Sequence, residues 1–457
     1  MPHDFRIVNV TACTPDGVVE DAEIVVKDGR IESVRPADTA PDAPGLPELD
    51  GAGAYALPGF IDIHCHGAAL FELDEGLFDP GTGQFDASDA AYEQGIPAYA
   101  RLKAREGCTS FYTATAAAPK DRLRRAYRHL CDYMGSDANG TEGARIRGAL
   151  DEGLFFNPRM GGAQDVRHTY EPAAEVFDEL NETGVIKLLN VAPDSGEPAY
   201  RLIDHVTGRG VVVGAGHTDA TADQVREAVE RGLRYIIHFT NGPTGGSTKP
   251  FDGGGVVEAA LQIDALYAEQ ICDGYHISPA YVRDIIARKG RDRIIVITDQ
   301  VFVAGTDVRT FESGELVGEV APDGSHVRVQ GTKNTLFGSC TRMHVCFGNV
   351  LSWLTREMPG VWNRTHAALP LDEALAAVAR MCSTNPAKMI GLYDGEGGKA
   401  SDGGGTGSLE PGKSADIVLG SLDGSPGDYR FNVERVFVRG NEIDLGSGTL
   451  VCRDTRP

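Results

Sequence analysis

The chain is 457 residues long, 41% hydrophobic and 24% charged, with a formal net charge of −23. That length exceeds one ordinary domain, so a large domain with a smaller companion is expected. The acidic balance excludes nucleic acid and anionic membranes as partners, because both require a basic surface.

Nine cysteines without a Cys-x-x-Cys pair point to reduced thiols in a cytoplasmic protein. The opening MPHDFRIVNV has no basic segment leading into an apolar run, and no run approaches the roughly 18–20 apolar residues of a membrane span. A soluble, cytoplasmic protein is therefore expected, its acidity reflecting either a high-salt habitat or solubility alone.

In chain order, residues 1–57 alternate in short β-like runs (FRIVNVTAC, AEIVVKDG, RIESVRP) separated by Gly, Asp and Pro turns. From Gly59 the pattern changes to apolar runs alternating with amphipathic helical stretches: FIDIHCHG, TSFYTATAA, RIRGALDEG, VIKLLNVAPD, VVVGAGHT, YIIHFTN, YAEQICDGYH and IIVITDQV. Eight strands separated by helices predict a (β/α)8 TIM barrel over 59–404. After the eighth strand, GELVGEV and SHVRVQG read as an inserted hairpin, and the Gly-rich 396–407 as a linker. ADIVLGSLD and VERVFVRGNEI then return to β character. They are expected to join the N-terminal strands in a small discontinuous β-sandwich domain, residues 1–58 plus 405–457.

In such a barrel the site forms at the C-terminal ends of the strands. His64 and His66 end the first strand, Glu152 the third, His217 the fifth, His238 the sixth, His276 the seventh and Asp299 the eighth. A single strand-end histidine ordinarily makes a structural hydrogen bond, and a single Asp ordinarily caps the next helix. Here five of the twelve histidines fall at the same place in successive βα units, which points to a metal site. Imidazole and carboxylate donors suit zinc, with iron as the alternative, and both ions activate water. The i, i+2 spacing puts His64 and His66 on one face, with Asp62 one step deeper on that face, as support for the ligands or as interior packing. Cys65 points to the helices.

The motifs PGFIDIHCHG, GALDEGLFFNP (148–158), GAGHTDAT (214–221), HFTNG (238–242), DGYHISP (273–279), ITDQV (297–301), LFGS (336–339), TNPAKMIGL (384–392) and GSLEPGKSADIVL (407–419) occur in order. Together they resemble the amidohydrolase superfamily, and within it the N-acetylglucosamine-6-phosphate deacetylases. The resemblance implies that Glu152, His217 and His238 hold the principal divalent metal, while His64 and His66 allow a second. Many superfamily members bridge two metals with a carboxylated fourth-strand lysine; here Lys187 lies at the wrong end of that strand, leaving Glu152 as the central carboxylate. The resemblance further implies that Asp299 moves protons and His276 contacts the acetamido carbonyl. Leu336 and Phe337 would cover the N-acetyl group, and Asn241 and Gly242 would meet substrate. The reaction implied is removal of acetyl from an N-acetylated amino sugar. A non-catalytic barrel scaffold is the rival of another class.

Three departures bear on the substrate. The family arginine that reaches phosphate across a dimer aligns with Asp252, a carboxylate that repels phosphate. Either the loop Gly245–Lys249 replaces it, with Lys249 and backbone N–H groups on the phosphate, or the substrate is an unphosphorylated N-acetylhexosamine or another N-acyl compound. The missing arginine also weakens the family's expectation of a homodimer. Leu150 and Gln164 stand where the family has histidines. Finally, the acidic segment 71–89 is expected near the barrel mouth.

Overall fold

The structure, a computed structural model, describes residues 4–39, 45–242, 253–361, 365–395 and 404–446. Lys249, Asp252 and the 245–249 loop lie outside the described residues, as does the 396–403 part of the expected linker.

The strand-and-helix alternation folds into eight parallel strands: Phe60–Cys65, Cys108–Thr115, Arg145–Phe155, Ile186–Val191, Val212–Ala215, Leu233–Ile236, Tyr267–Ile271 and Ile294–Ile297. Each pairs with the next in chain order. Past the last strand, the Asp299 N–H donates to the His64 carbonyl at 2.9 Å and the His66 N–H to the Gln300 carbonyl at 2.8 Å. These bonds seat the extension of the eighth strand beside the first and close the ring. Ile61, Tyr112, Leu150, Leu188, Tyr235 and Ile295 fill the interior, joined by Ala387 and Met389 from the segment that bonds to the strand starts at Pro58 and Ile294. Leu150 is thus barrel packing.

The helices between strands carry their own start signals. Thr221 Oγ1 accepts from the Gln224 N–H while Gln224 Oε1 accepts from the Thr221 N–H, a reciprocal cap that starts Ala222–Glu230 just after His217. Pro279 opens Pro279–Lys289 just after His276, where its missing N–H has no helical partner to lose.

A second eight-stranded sheet unites the chain ends, as the sequence pattern predicts. Tyr55–Pro58 pairs antiparallel with Ile417–Ser425, joining the N-terminal strands to Asp428–Val438 and Asn441–Glu442. Its own apolar cluster includes Phe5, Ile7, Ile24, Ile417 and Phe437.

The expected placement of Asp62 on the histidine face needs correction. Opposite Phe111 and Thr113 of the second strand lie Asp62 and Cys65, so the first strand carries one extra residue between them. Such a bulge breaks the strict alternation of faces. Ile61 and Ile63 face the interior, whereas Asp62 meets Lys103 of the Asp89–Arg105 helix at 2.9 Å and Thr298 Oγ1 at 2.6 Å. Cys65 packs among the helix-facing residues, as predicted.

The hairpin expected after the eighth strand is a three-stranded sheet, because Thr310–Ser313 precedes Leu316–Val320 and Val327–Val329. Segment 67–86 forms a four-stranded sheet of short strands. The two insertions share an aromatic cluster: Phe85 and Phe311 each pack on Phe302, with centroids 4.8 and 4.7 Å apart, and Phe337 packs on Phe311 at 5.1 Å. Among the described residues no disulfide forms, and no helix is long and apolar enough to cross a membrane.

Candidate active site

His217, His238 and Asp299 each lie two residues beyond their strands, in the left-handed region at φ 48°, 28° and 50°. A non-glycine residue held there costs on the order of 1–3 kcal/mol. Main-chain bonds fix each one: Asn157 N–H to the His217 carbonyl (2.9 Å), Asn241 N–H to the His238 carbonyl (2.7 Å), and the Asp299–His64 bond. Glu152, by contrast, lies within the long third strand, three residues short of its end.

The ring orientations define what the site can bind. His217 Nδ1 lies 2.8 Å from the Met160 carbonyl and His238 Nδ1 2.6 Å from the Asn241 carbonyl. A carbonyl only accepts, so each Nδ1 carries the proton and each Nε2 presents a lone pair. Those two Nε2 atoms are 3.1 Å apart, and Glu152 Oε1 is 3.1 Å from one and 2.8 Å from the other. Three electron-rich atoms so close repel one another unless a cation sits among them. The separations approach the roughly 3.3 Å edge of a tetrahedron of ligands about 2.0 Å from a zinc ion. The donor set fits a divalent metal.

His64 and His66 face the same centre. His64 Nε2 lies 3.7 Å from Glu152 Oε1 and 3.6 Å from Asp299 Oδ1; His66 Nε2 lies 3.4 Å from Glu152 Oε2 and 3.3 Å from Asp299 Oδ1. Both rings are buried. His64, His66 and Glu152 therefore form a second group of donors sharing Glu152 with the first. Lys187 is exposed on the fourth strand, so the bridging-lysine pattern is absent as expected.

Several residues at the centre escaped sequence reasoning. Glu269 Oε2 accepts both from His64 Nδ1 (3.1 Å) and from the His238 main-chain N–H (2.8 Å), so one buried carboxylate aligns candidate ligands from two strands. Gln164, where the family has histidine, donates from Nε2 to Glu152 Oε2 at 2.7 Å and accepts the Ala117 N–H at 2.8 Å. Asn190 braces Glu152 and Gly216 through its side-chain amide. The signal for Glu269 was in the sequence: a carboxylate within a buried strand, YAEQI, requires a buried partner.

The centre opens into a cavity of about 580 Å³ lined by His66, Glu152, His217, His238, Asn241, Gly242, His276, Asp299, Leu336 and Phe337. Every predicted site residue within the described segments lines this cavity except His64, which is fully buried behind it. Gly242 has a reason beyond substrate contact. Its φ is +71°, and a Cβ there would lie 2.9 Å from His238 Cε1 and 3.1 Å from His217 Cε1, pressing on both imidazoles. Phe337 is largely taken up by the aromatic cluster, which leaves Leu336 as the more open side chain.

His276 Nδ1 lies 2.7 Å from Asp273 Oδ2, and Asp273 Oδ1 also accepts the His276 main-chain N–H at 2.9 Å. Burial works against the charged ring, but the Asp273 carboxylate outweighs it and raises the His276 pKa above that of free imidazole. When protonated, the ring points a second donor, Nε2–H, away from Asp273. The same cavity is also lined by Glu72, Asp74 and Glu75, an acidic wall from the 67–86 insertion, as expected for that segment. Burial and the neighbouring Asp74 push the Glu72 carboxyl up to about 8 and that of Glu75 to about 7. The two lining arginines are already paired, Arg122 with Glu75 at 2.5 Å and Arg167 with Asp165 and Glu315 at 2.5 and 2.8 Å.

Comparison with known proteins identifies the family. The Amidohydrolase family profile matches residues 55–443. The N-acetylglucosamine-6-phosphate deacetylase of Lysinibacillus sphaericus is 28% identical over 395 residues, covering 85% of this chain and 92% of its own. The N-acetylgalactosamine-6-phosphate deacetylase of Escherichia coli O157:H7 is 27% identical over 435 residues, 93% and 96% of the two chains. Among solved structures, N-acetyl-D-glucosamine-6-phosphate deacetylase from Mycobacterium smegmatis superposes with a TM-score of 0.76 at 23% identity, covering 96% of this chain and 100% of that one. At that identity the superposition speaks for the fold alone. With the profile spanning both the barrel and the strands that join its ends, the chain belongs to the amidohydrolase family.

Proposed function

We propose that the protein is a metal-dependent deacetylase that hydrolyses the acetamide of an N-acetylated amino sugar, most like N-acetylglucosamine 6-phosphate, to acetate and the free amine. The observation that carries this reading is the convergence of Glu152 Oε1 with the two lone-pair nitrogens of His217 and His238 at the floor of a sugar-sized cavity. The named relatives, which span most of the chain, supply the substrate class.

Glu152, His217 and His238 would hold one divalent ion, zinc by preference, and His64 and His66 with Glu152 a second. A bound divalent ion supplies Lewis acidity, lowering the pKa of water towards neutrality and polarising an acyl oxygen. Asp299 stands against this centre on the cavity side. Its carboxylate takes the proton from the attacking water and passes it to the amide nitrogen, so that the C–N bond breaks to a neutral amine rather than an amide anion. Nε2–H of His276 would donate to the acyl oxygen as charge develops there, while Asp273 orients the ring and favours its protonated form. Leu336 offers the apolar surface against the acetyl methyl. Asn241 Nδ2, buried with no hydrogen-bond partner among the described residues, supplies a donor to the substrate.

The acidic wall and the paired arginines favour a second reading on the same chemistry, an unphosphorylated N-acetylhexosamine. Acetate release from N-acetylglucosamine 6-phosphate, N-acetylglucosamine and N-acetylgalactosamine, compared as kcat/KM, decides between them. A clear preference for the phosphorylated sugar supports the first reading, and preference for either unphosphorylated sugar supports the second. No acetate from any of the three by metal-loaded protein would refute the amino-sugar assignment.

A further inference from the structure

Four histidines surround the centre, and their Nδ1 atoms are not treated alike. Those of His217, His238 and His64 each face an acceptor: the carbonyls of Met160 and Asn241 and the carboxylate of Glu269. His66 Nδ1 is buried with no hydrogen-bond partner among the described residues. Its other nitrogen, Nε2, belongs to the main centre, 3.4 Å from Glu152 and 3.3 Å from Asp299. Two carboxylates stand close to the same ring, those of Glu72 and Asp74. The three residues can each offer a ligand atom within 4.8 Å of the other two.

This group differs from a surface cluster of acids. His66, Glu72 and Asp74 are 6%, 5% and 2% exposed, and all three line the cavity. Asp74 Oδ1 is itself buried without a hydrogen-bond partner among the described residues. The nearest arginine on that wall, Arg122, is bonded to Glu75. Two carboxylates buried side by side without a cation repel each other and forfeit their hydration. An imidazole beside two carboxylates ordinarily relieves this by donating a proton to one of them. Among the described residues no such bond forms, and His66 Nδ1 and Asp74 Oδ1 are left buried and unpaired beside Glu72.

We propose that His66 Nδ1, Glu72 and Asp74 form an additional divalent-cation site on the cavity wall, sharing the His66 ring with the main centre. One nitrogen and two carboxylate oxygens suit zinc or manganese, with the open side towards the cavity left for water or substrate. Holding an ion on each nitrogen requires the ring to give up its remaining proton, which passes to solvent, so uptake at this site releases a proton. The site also alters what the wall can recognise. Bare, it repels an anionic substituent; filled, it presents a cation to one. The assignment depends on no particular substrate, and its failure would leave the amidohydrolase chemistry at Glu152 untouched.

The test is anomalous diffraction from crystals of the full chain soaked in Mn²⁺ alone, and separately in Zn²⁺ alone, paired with metal analysis of reconstituted, desalted protein. The expected result is an anomalous peak among His66, Glu72 and Asp74, in addition to density at Glu152. In solution, Asp74→Asn should hold one ion fewer per chain than the parent while keeping those at Glu152. Crystals with a filled Glu152 centre but no peak at His66, Glu72 and Asp74 for either metal would overturn the proposal. Equal ion counts in parent and Asp74→Asn would do so too. Should that variant fail to fold, the peak in the parent protein decides alone.

Discussion

The main-chain N–H of Asp299 donates to the main-chain carbonyl of His64 across 2.9 Å. This barrel-closing bond thereby fixes the distance between Asp299, the proposed proton carrier, and the strand that bears His64 and His66. Asp299 Oδ1 ends 3.6 Å from His64 Nε2 and 3.3 Å from His66 Nε2. Because the seam is made by the backbone, the side chain can be changed without opening the barrel. Asp299→Asn should keep the fold and lower kcat by about 10²–10⁴-fold, the usual range for losing a positioned acid–base group. Steady-state kinetics with thermal unfolding as a control checks this. Less than a tenfold loss would remove Asp299 from proton transfer.

Glu269 holds His64 by Nδ1 and His238 by its main-chain N–H through one oxygen. A carboxylate behind a ligand histidine sets its tautomer and raises its basicity. Glu269→Gln should weaken metal binding by about 10–100-fold, the range seen when such supports are changed. Competition with a chromogenic chelator measures it, and unchanged affinity would make Glu269 mere packing.

Lys103 is completely buried and bonds Asp62 at 2.9 Å and Glu106 at 2.7 Å, tying the first helix to the first strand. Lys103→Met strands two buried carboxylates. It should cost about 3–5 kcal/mol of folding stability, as when one partner of a buried pair is removed. Chemical denaturation tests this, and a loss below about 1 kcal/mol would mean that the network is more hydrated than its burial indicates.

In the proposed mechanism His276 works in its protonated form, which Asp273 favours against the opposing effect of burial. A group needed with its proton on is fully competent below its pKa and is lost as pH rises through it. Asp273→Asn removes the raising charge, so the alkaline limb of kcat/KM should move to lower pH. Profiles of parent and variant compare the two limbs. An unmoved limb would assign it to another group.

Much of this was legible in the sequence because it rests on periodicity and on chemistry that strand ends rarely carry. The alternation after Gly59 gave the barrel, and Glu152, His217 and His238 stood out by recurring at the same place in successive units. What the sequence concealed depended on local geometry. The extra residue between Asp62 and Cys65 turned Asp62 away from the histidine face, and no pattern of residue types announces a bulge without the neighbouring strand. Gln164 looked like a lapsed family histidine, yet it braces Glu152 from a loop twelve residues on. Glu269 was visible as an acid in a buried strand, but its two partners come from strands distant in the chain.

The most direct test of the account is acetate release by the purified chain before chelation, after it, and after zinc is restored, with N-acetylglucosamine 6-phosphate and its unphosphorylated counterpart as substrates. The account predicts acetate and free amine in equal amounts from at least one sugar, lost on chelation and regained with zinc. Acetate release that persists in fully metal-free protein would contradict it, as would no acetate from either sugar with zinc bound at Glu152.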